Sequence, residues 1–417
     1  MPRRKHMQFW VLVMAMLALF AGSGSAEKKQ LTMWLPFDQL SDWSKDFIAE
    51  FESNNPDIEL SVEIMRVTLM REKLMVTMAA GMAPDIVYEA ANMVFPLIQQ
   101  GFMLPLDDYL KTSGIEGDLI PGVIDAFRVN GRTWALPYSI WPLGDVYNMT
   151  VMGNAGVAQP TNWDEMLRAT RRLTQVDQSG VSVYGNVRIL NNIRAFNYLD
   201  LEMEQLGVIG VPPQSATASI NNDAGRTALS YLVDIVQAGM PDGRTPGLAE
   251  MLQNKIAIYH MVPGWDLVRI ADQVAALDLD IAYTRMVGPE TGKDIVMYNA
   301  GSLYITQSCK NPDAAWRVIE AFMEPTTLKN HILAHGASLS MRRSHIFDDQ
   351  LRSFPFAQQL MGTLIEPLSL GSRHPFYANF REIAGGFILQ ALKGQLSIPS
   401  ALEQAERAIN VVLSDFM

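Results

Sequence analysis

The chain has 417 residues, 48% of them hydrophobic and 18% charged, which excludes a disordered or fibrous polypeptide and supplies core material for two or three domains of roughly 150 residues. A formal net charge of −11 weighs against phosphate backbones and anionic lipid, and therefore against nucleic-acid and membrane-surface partners. Cys309 is the only cysteine, so no intrachain disulfide forms and stability must come from packing.

Residues 1–26 read as a secretory signal rather than as part of the fold. Arg3, Arg4 and Lys5 precede an apolar run from Phe9 to Ala21, and Gly24 and Ala26 suit a cleavage site after Ala26. That run is shorter than the roughly 20 residues that cross a bilayer. No cysteine adjoins the cleavage site, so a lipid anchor is not expected and the mature protein is placed in the periplasm. Removing this segment takes away three cations and no anion, which leaves the mature chain more acidic still.

From Leu31 onward the pattern alternates. "LTMWL" is a short apolar strand. A helix follows from Ser41 with Trp43, Phe47 and Phe51 on one face, stopped by Asn54, Asn55 and Pro56. In "DIELSVEI" residues Ile58, Leu60, Val62 and Ile64 alternate as in a strand. A helix ending at Gly81, the strand "PDIVYE" and a helix ending at Gly101 continue the rhythm of a sheet with crossover helices. "NGRTWALPYSIWPLGDVYN", residues 130–148, is rich in aromatics, and Pro137 and Pro142 argue against a regular helix. Downstream, Thr161 is the expected cap of "NWDEMLRATRRL", and Asn311 with Pro312 opens "DAAWRVIEAFM". Ser400 with Glu403 forms a capping box for "ALEQAERAINVVL". Trp163 and Trp316 fall on the apolar stripes of their helices and are expected in the core. Residues 241–247 read as a loop, and residues 345–399 carry no clear pattern.

Motifs for zinc hydrolases, serine nucleophile elbows and phosphate-cradling glycine loops are missing. His331 and His335 sit four apart but close to the end of a helix at Gly336, where the dipole accounts for them, so no metal and no cofactor are expected. Asn148-Met149-Thr150 is an accidental glycosylation sequon. Carboxylate pairs that cleave glycosides are set by geometry rather than spacing, so a secreted carbohydrate-active enzyme stays open as an alternative.

The blocks "FIAEFESNNPDIELSVEIM", "EKLMVTMAAGMAPDIVYEA", "GFMLPLDDYL", "NGRTWALPYS" with "VYN", "PTNWDEMLRATRRLT", "NKIAIYHMVPGW" and "NPDAAWRVIEAFM" occur in a telling order. In that order the sequence resembles extracellular solute-binding proteins of the sugar-binding class, the soluble receptors of ATP-binding-cassette importers. The resemblance runs from about Leu31 to Val412. It implies an α/β, two-lobed periplasmic-binding-protein fold of type II-like form, with a ligand cleft between lobes joined by crossing segments. The first lobe would take residues 27–138 and 300–343, the second 139–299 and 344–417. It also implies a monomer that captures a sugar or oligosaccharide and delivers it to a membrane permease, without catalysis. Glycerol phosphodiesters, polyols and organic anions are the alternative solutes.

Sugar recognition needs aromatic faces for the rings and polar groups for the hydroxyls. Trp141, in the first crossing, and Trp265, after Gly264 where the family commonly places a cleft tryptophan, are the aromatic candidates. Asp38 comes shortly after the strand "LTMWL", with Pro36 and Phe37 between, and Glu89 directly after "PDIVY", where open α/β sheets place ligand contacts, and Asp266 adjoins Trp265. "MYNAGSLYI" resembles the family's glycine-rich return to the first lobe and adds Asn299 and Gly301, although Ser302 stands where a bulky residue is usual. Arg342 matches a basic residue near the cleft, with Ser340 in place of a usual proline.

Overall fold

The computed structural model describes residues 27–36, 41–120, 123–335, 338–364, 368–369, 371, 374 and 376–415. The expected signal segment and Asp38 lie outside them. In chain order, β1 (Lys29–Leu35), α1 (Ser41–Asn54), β2 (Ile58–Ile64), α2 (Val67–Ala79), β3 (Ile86–Ala90) and α3 (Ala91–Gln99) alternate as the sequence indicates. Next come β4 (Leu136–Asn148), α4 (Trp163–Leu173), α5 (Asn192–Gln205), β5 (Ile258–Pro263), α6 (Gly264–Arg269), β6 (Ile281–Thr284) and β7 (Val296–Ile305). The last elements used below are α7 (Pro312–Phe322), α8 (Tyr377–Leu392) and α9 (Ile398–Asp415).

β1 lies between β2 and β3, parallel to both, because α1 and α2 return the chain across the sheet each time. Leu31, Met33 and Leu35 are fully buried on β1, and α1 lays Trp43, Phe47 and Phe51 over the sheet at helical spacing. The Trp43 and Phe47 rings stack at 5.1 Å. β7 runs antiparallel beside β3, from Gly301 opposite Ala90 to Ile305 opposite Ile86. β4 runs antiparallel beside β7, and its far half pairs instead with β5 and β6.

The buried apolar residues divide into two clusters, and β4 and β7 pass between them. The first cluster takes residues from Leu31 to Trp141 and from Tyr298 to Leu351; the second takes Val146 to Met297 and Leu360 to Leu413. On β4, Leu136 to Trp141 belong to the first and Val146 and Tyr147 to the second; on β7 the change falls between Met297 and Tyr298. This is a two-lobed α/β arrangement, and the aromatic-rich segment is its first crossing. The crossing is a strand. Gly144 permits it, since a Cβ there would stand 2.4 Å from the Thr284 carbonyl oxygen.

Trp163 and Trp316 are core residues, stacked on Tyr231 at 4.4 Å and on Tyr109 at 5.1 Å. Two caps differ from expectation. Asn162, not Thr161, caps α4: its Oδ1 accepts from the Glu165 N–H at 3.0 Å, while Thr161 donates to the Glu165 carboxylate. α9 begins at Ile398, because Pro399 is tolerated in a first turn, so Ser400 lies inside the helix and its hydroxyl accepts from Gln404. His331 is fully buried among Trp43, Tyr138 and Phe322, a packing role. The Asn148 side chain is likewise buried, capping Val151 and donating to Asn254 at 2.9 Å.

A buried polar cluster backs the crossing strand in the second lobe. Arg188 meets Glu202 at 3.1 Å, both side chains 2% exposed, and lies over the Tyr198 ring. Next to them His260 Nδ1 contacts Asp145 of β4 at 2.7 Å, and the same carboxylate accepts from the Met261 N–H. Burial pushes His260 down to about 4 despite Asp145. Its unfolded form titrates near 6.5, so the unfolded chain binds a proton that the folded one refuses, and stability is lost as pH falls from about 6.5 to about 4. Glu202, pushed up by burial to about 7, acts with the opposite sign, favouring the fold at low pH and losing that contribution as pH rises toward 7. A comparison of wild type with His260→Asn isolates the first effect. The variant is expected to lose less stability between pH 6.5 and 4, by an amount on the order of 3 kcal/mol at most, in urea titrations across that range.

Candidate ligand cleft

The crossing brings two tryptophans together. β5 ends at Pro263 and α6 starts at once, a turn that Gly264 allows, because a Cβ there would stand 2.8 Å from Leu360 Cδ2. Trp265 thus leaves a strand of the second lobe yet packs against the first cluster. It meets Trp141 of β4 edge to face, with ring centroids 5.4 Å apart and planes at 69°. Trp141 is 8% exposed, whereas Trp265 is half-buried and offers the accessible aromatic surface. Asn299 of β7 stands opposite Trp141 in register, half-buried, with its Oδ1 accepting from the Ala300 N–H at 3.0 Å. Ile140, Pro142, Val268, Leu339 and Phe354 line an apolar crevice beside this pair.

The remaining candidates divide by what already holds them. Glu89 is 1% exposed and is gripped by Arg71 of α2: Nη2 donates at 2.6 Å, Nε lies 3.2 Å from both carboxylate oxygens, and the Ala90 N–H also donates to it. Its carboxylate is therefore committed internally. Arg342 is also committed, donating to the Met323 carbonyl and to Asp118, each at 2.7 Å, and only 7% exposed. Gly301 faces protein, since a Cβ there would stand 2.7 Å from Ser139 Oγ and from the Tyr88 ring. Asp266 pairs with Arg269 one turn along its own short helix. The structure therefore brings Trp141, Trp265 and Asn299 to one place and sets Glu89, Arg342 and Asp266 in ion pairs. Arg71 escapes a reading of the sequence, because nothing in its helical spacing announces a partner at the end of β3.

The lobes meet again away from the tryptophans. Gln214 of the second lobe donates to Asn130 of the first at 2.8 Å, and α3 of the first touches α8 of the second. Among the described residues no group of His, Cys, Asp and Glu side chains is arranged to hold a metal ion, and no helix is long and apolar enough to cross a membrane.

The family model described as bacterial extracellular solute-binding protein matches residues 38–327. Putative binding proteins of Brucella abortus (strain 2308) and Brucella suis biovar 1 (strain 1330) are each 24% identical over 318 residues, 74% of this chain and 74% of theirs. Among solved structures, the sugar-binding protein MalE of Xanthomonas citri is similar with a TM-score of 0.79 at 19% identity, over 93% of this chain and 98% of that one. The cyclic alpha-maltosyl-1,6-maltose binding protein of Arthrobacter globiformis gives 0.78 at 19% identity, over 93% and 100%. A solute-binding protein of Agrobacterium radiobacter K84 in complex with ribitol gives 0.73 at 18% identity, over 94% and 99%. At these identities the likeness is one of fold.

Proposed function

Since the chain belongs to the bacterial extracellular solute-binding proteins, we propose that it captures a sugar, an oligosaccharide or a polyol between its lobes and delivers it to an ATP-binding-cassette permease. The observation that carries this reading is the half-exposed Trp265, fixed edge-on against Trp141 where the lobes join. An apolar ring face at a lobe interface suits the carbon face of a pyranose, and closing the lobes buries most of such a ligand. Asn299 beside Trp141 supplies an amide for hydroxyls. The solutes named for the Xanthomonas, Arthrobacter and Agrobacterium proteins, sugars and a sugar alcohol, fall in the same class.

No chemistry is assigned to the cleft, because Glu89 is neutralised by Arg71 and is not free to act as a general acid or base. The protein is read as exported, beginning at Glu27 after cleavage, and as working as a monomer. The test is a melting-temperature screen against neutral sugars, oligosaccharides and polyols, with product analysis of the same mixtures, followed by ATP turnover of the permease reconstituted with the protein. A ligand that raises the melting temperature, leaves no product and is required for stimulated turnover is the expected result, because closure presents both lobes in register. Product formation, or equal stimulation without ligand, overturns it.

A further inference from the structure

The pairing of Glu89 with Arg71 leaves one polar feature beside the cleft unexplained. Glu89 is 1% exposed, but the Arg71 side chain is 36% exposed. Its Nε and one Nη2 proton point at the carboxylate, and Nη1 makes no hydrogen bond among the described residues. A buried carboxylate that accepts from two nitrogens of one guanidinium fixes the plane of that group, so the unused N–H groups have a set direction.

The position is also defined. Glu89 closes the carboxyl end of β3, parallel to β1, and this is the edge at which open α/β sheets meet ligands. α3 starts directly after it and touches α8 of the second lobe, so this edge faces the interlobe space. Glu89 stands opposite Ser302 on β7, and Trp141 stands opposite Asn299. These two pairings are three residues apart on one strand, roughly 10 Å at about 3.3 Å per residue. Side chains three apart on a strand leave by opposite faces, so the ring platform and the oriented donor group approach this end of the sheet from its two sides.

We propose that Arg71, and not Glu89, is the ligand-contacting member of the pair, and that its neutralised guanidinium selects uncharged polyhydroxyl ligands over acidic sugars. The inference rests on the sugar-binding reading above. Its logic is one of charge: with Glu89 against it, Arg71 offers N–H donors to vicinal hydroxyls without presenting a net cation, and a carboxylate on the ligand meets a second carboxylate close behind that cation. A lysine cannot replace it, because an ammonium held by Glu89 keeps no fixed, outward-facing donors.

The test uses the mature protein with maltotriose, mannotriose and xylotriose as neutral probes and trigalacturonate as the acidic one, by calorimetric titration. Wild type is expected to bind at least one neutral probe more tightly than trigalacturonate. Arg71→Ala and Arg71→Lys are each expected to weaken that neutral probe by about tenfold or more, the loss of hydrogen bonds from a charged donor. Arg71→Ala also leaves Glu89 buried without its partner and is expected to lower the melting temperature of the free protein, whereas Arg71→Lys keeps a cation against Glu89 and isolates the effect on binding. Glu89→Gln, in whichever preparations fold by circular dichroism, is expected to shift preference toward trigalacturonate. If Arg71→Ala binds a neutral probe as well as wild type, or wild type prefers trigalacturonate, the assignment of Arg71 is wrong while sugar capture stands. If wild type binds none of the four and no other sugar or polyol in the screen, the functional reading fails and this one with it.

Discussion

Trp265→Ala is expected to weaken ligand binding by about thirtyfold while leaving the fold intact. Stacking on a sugar ring removes roughly 60 to 100 Å² of apolar surface from water, about 2 kcal/mol at roughly 25 cal/mol per Å², and 1.4 kcal/mol is one factor of ten in affinity. The same substitution breaks the edge-to-face contact with Trp141, worth about 0.5 to 1.5 kcal/mol beyond area. That cost is well below the roughly 3 to 5 kcal/mol of an aromatic lost from a closed interior, because Trp265 is only half-buried. Trp141, almost fully enclosed, behaves in the reverse way: its truncation is expected to act on stability first. Calorimetric titration and thermal melting of both variants separate the roles. An unchanged dissociation constant for Trp265→Ala removes it from the cleft, and a collapse of its melting temperature makes it a core residue.

The largest effect on stability is expected from Arg188→Met. Glu202 then loses its ion-pair partner in a site where both side chains are 2% exposed, and breaking a buried pair costs about 3 to 5 kcal/mol. Contacts of the guanidinium with the Tyr198 and Tyr231 rings are lost as well. The loss depends on pH in a defined direction. Glu202 already titrates at about 7 in the folded state, and without Arg188 it moves higher still. At pH 8 the variant must either bury a charge or bind a proton against the solution, whereas at pH 5.5 the carboxyl is protonated in variant and wild type alike. The deficit therefore shrinks as pH falls. Urea titrations at pH 8 and 5.5 measure it, and the pair Arg188→Met with Glu202→Leu is expected to recover most of the stability. A deficit of equal size at both pH values means that the charge on Glu202 is not its source.

The alternation of strands and helices from Leu31 to Gly101 is legible in the sequence because each element there is decided locally, by spacing such as Trp43, Phe47 and Phe51 or by alternation such as Ile58 and Leu60. The burial of Trp163 and Trp316 is legible for the same reason. Caps are less so: Thr161 and Asn162 are both good cap residues, and only backbone geometry chooses Asn162. Ser400 and Glu403 have the right spacing for a capping box, yet Ile398 and Pro399 extend the helix ahead of them. Cleft residues are least legible. Glu89 is expected just after a strand and instead lies inside the carboxyl end of β3, and Arg71 reaches it from another element and changes its role. Arg342 is likewise claimed by Met323 and Asp118, from segments that only the folded chain brings near. A position beside a cleft can be read from chain order, whereas the direction in which a side chain spends its hydrogen bonds cannot.

The interleaving of the two cores also bears on the timetable of folding. The first lobe is begun by the opening strands, but its core is completed only by residues from Tyr298 to Leu351, which are synthesised after almost all of the second lobe's sheet. β3 has one neighbour, β1, until β7 arrives some two hundred residues later. Early collapse of the first lobe is therefore incomplete on the ribosome, and contacts this distant in sequence form slowly. For a protein that acts outside the cell membrane, the consequence is that neither core can close until its own late residues, Tyr298 to Leu351 for the first and Leu360 to Leu413 for the second, have been made.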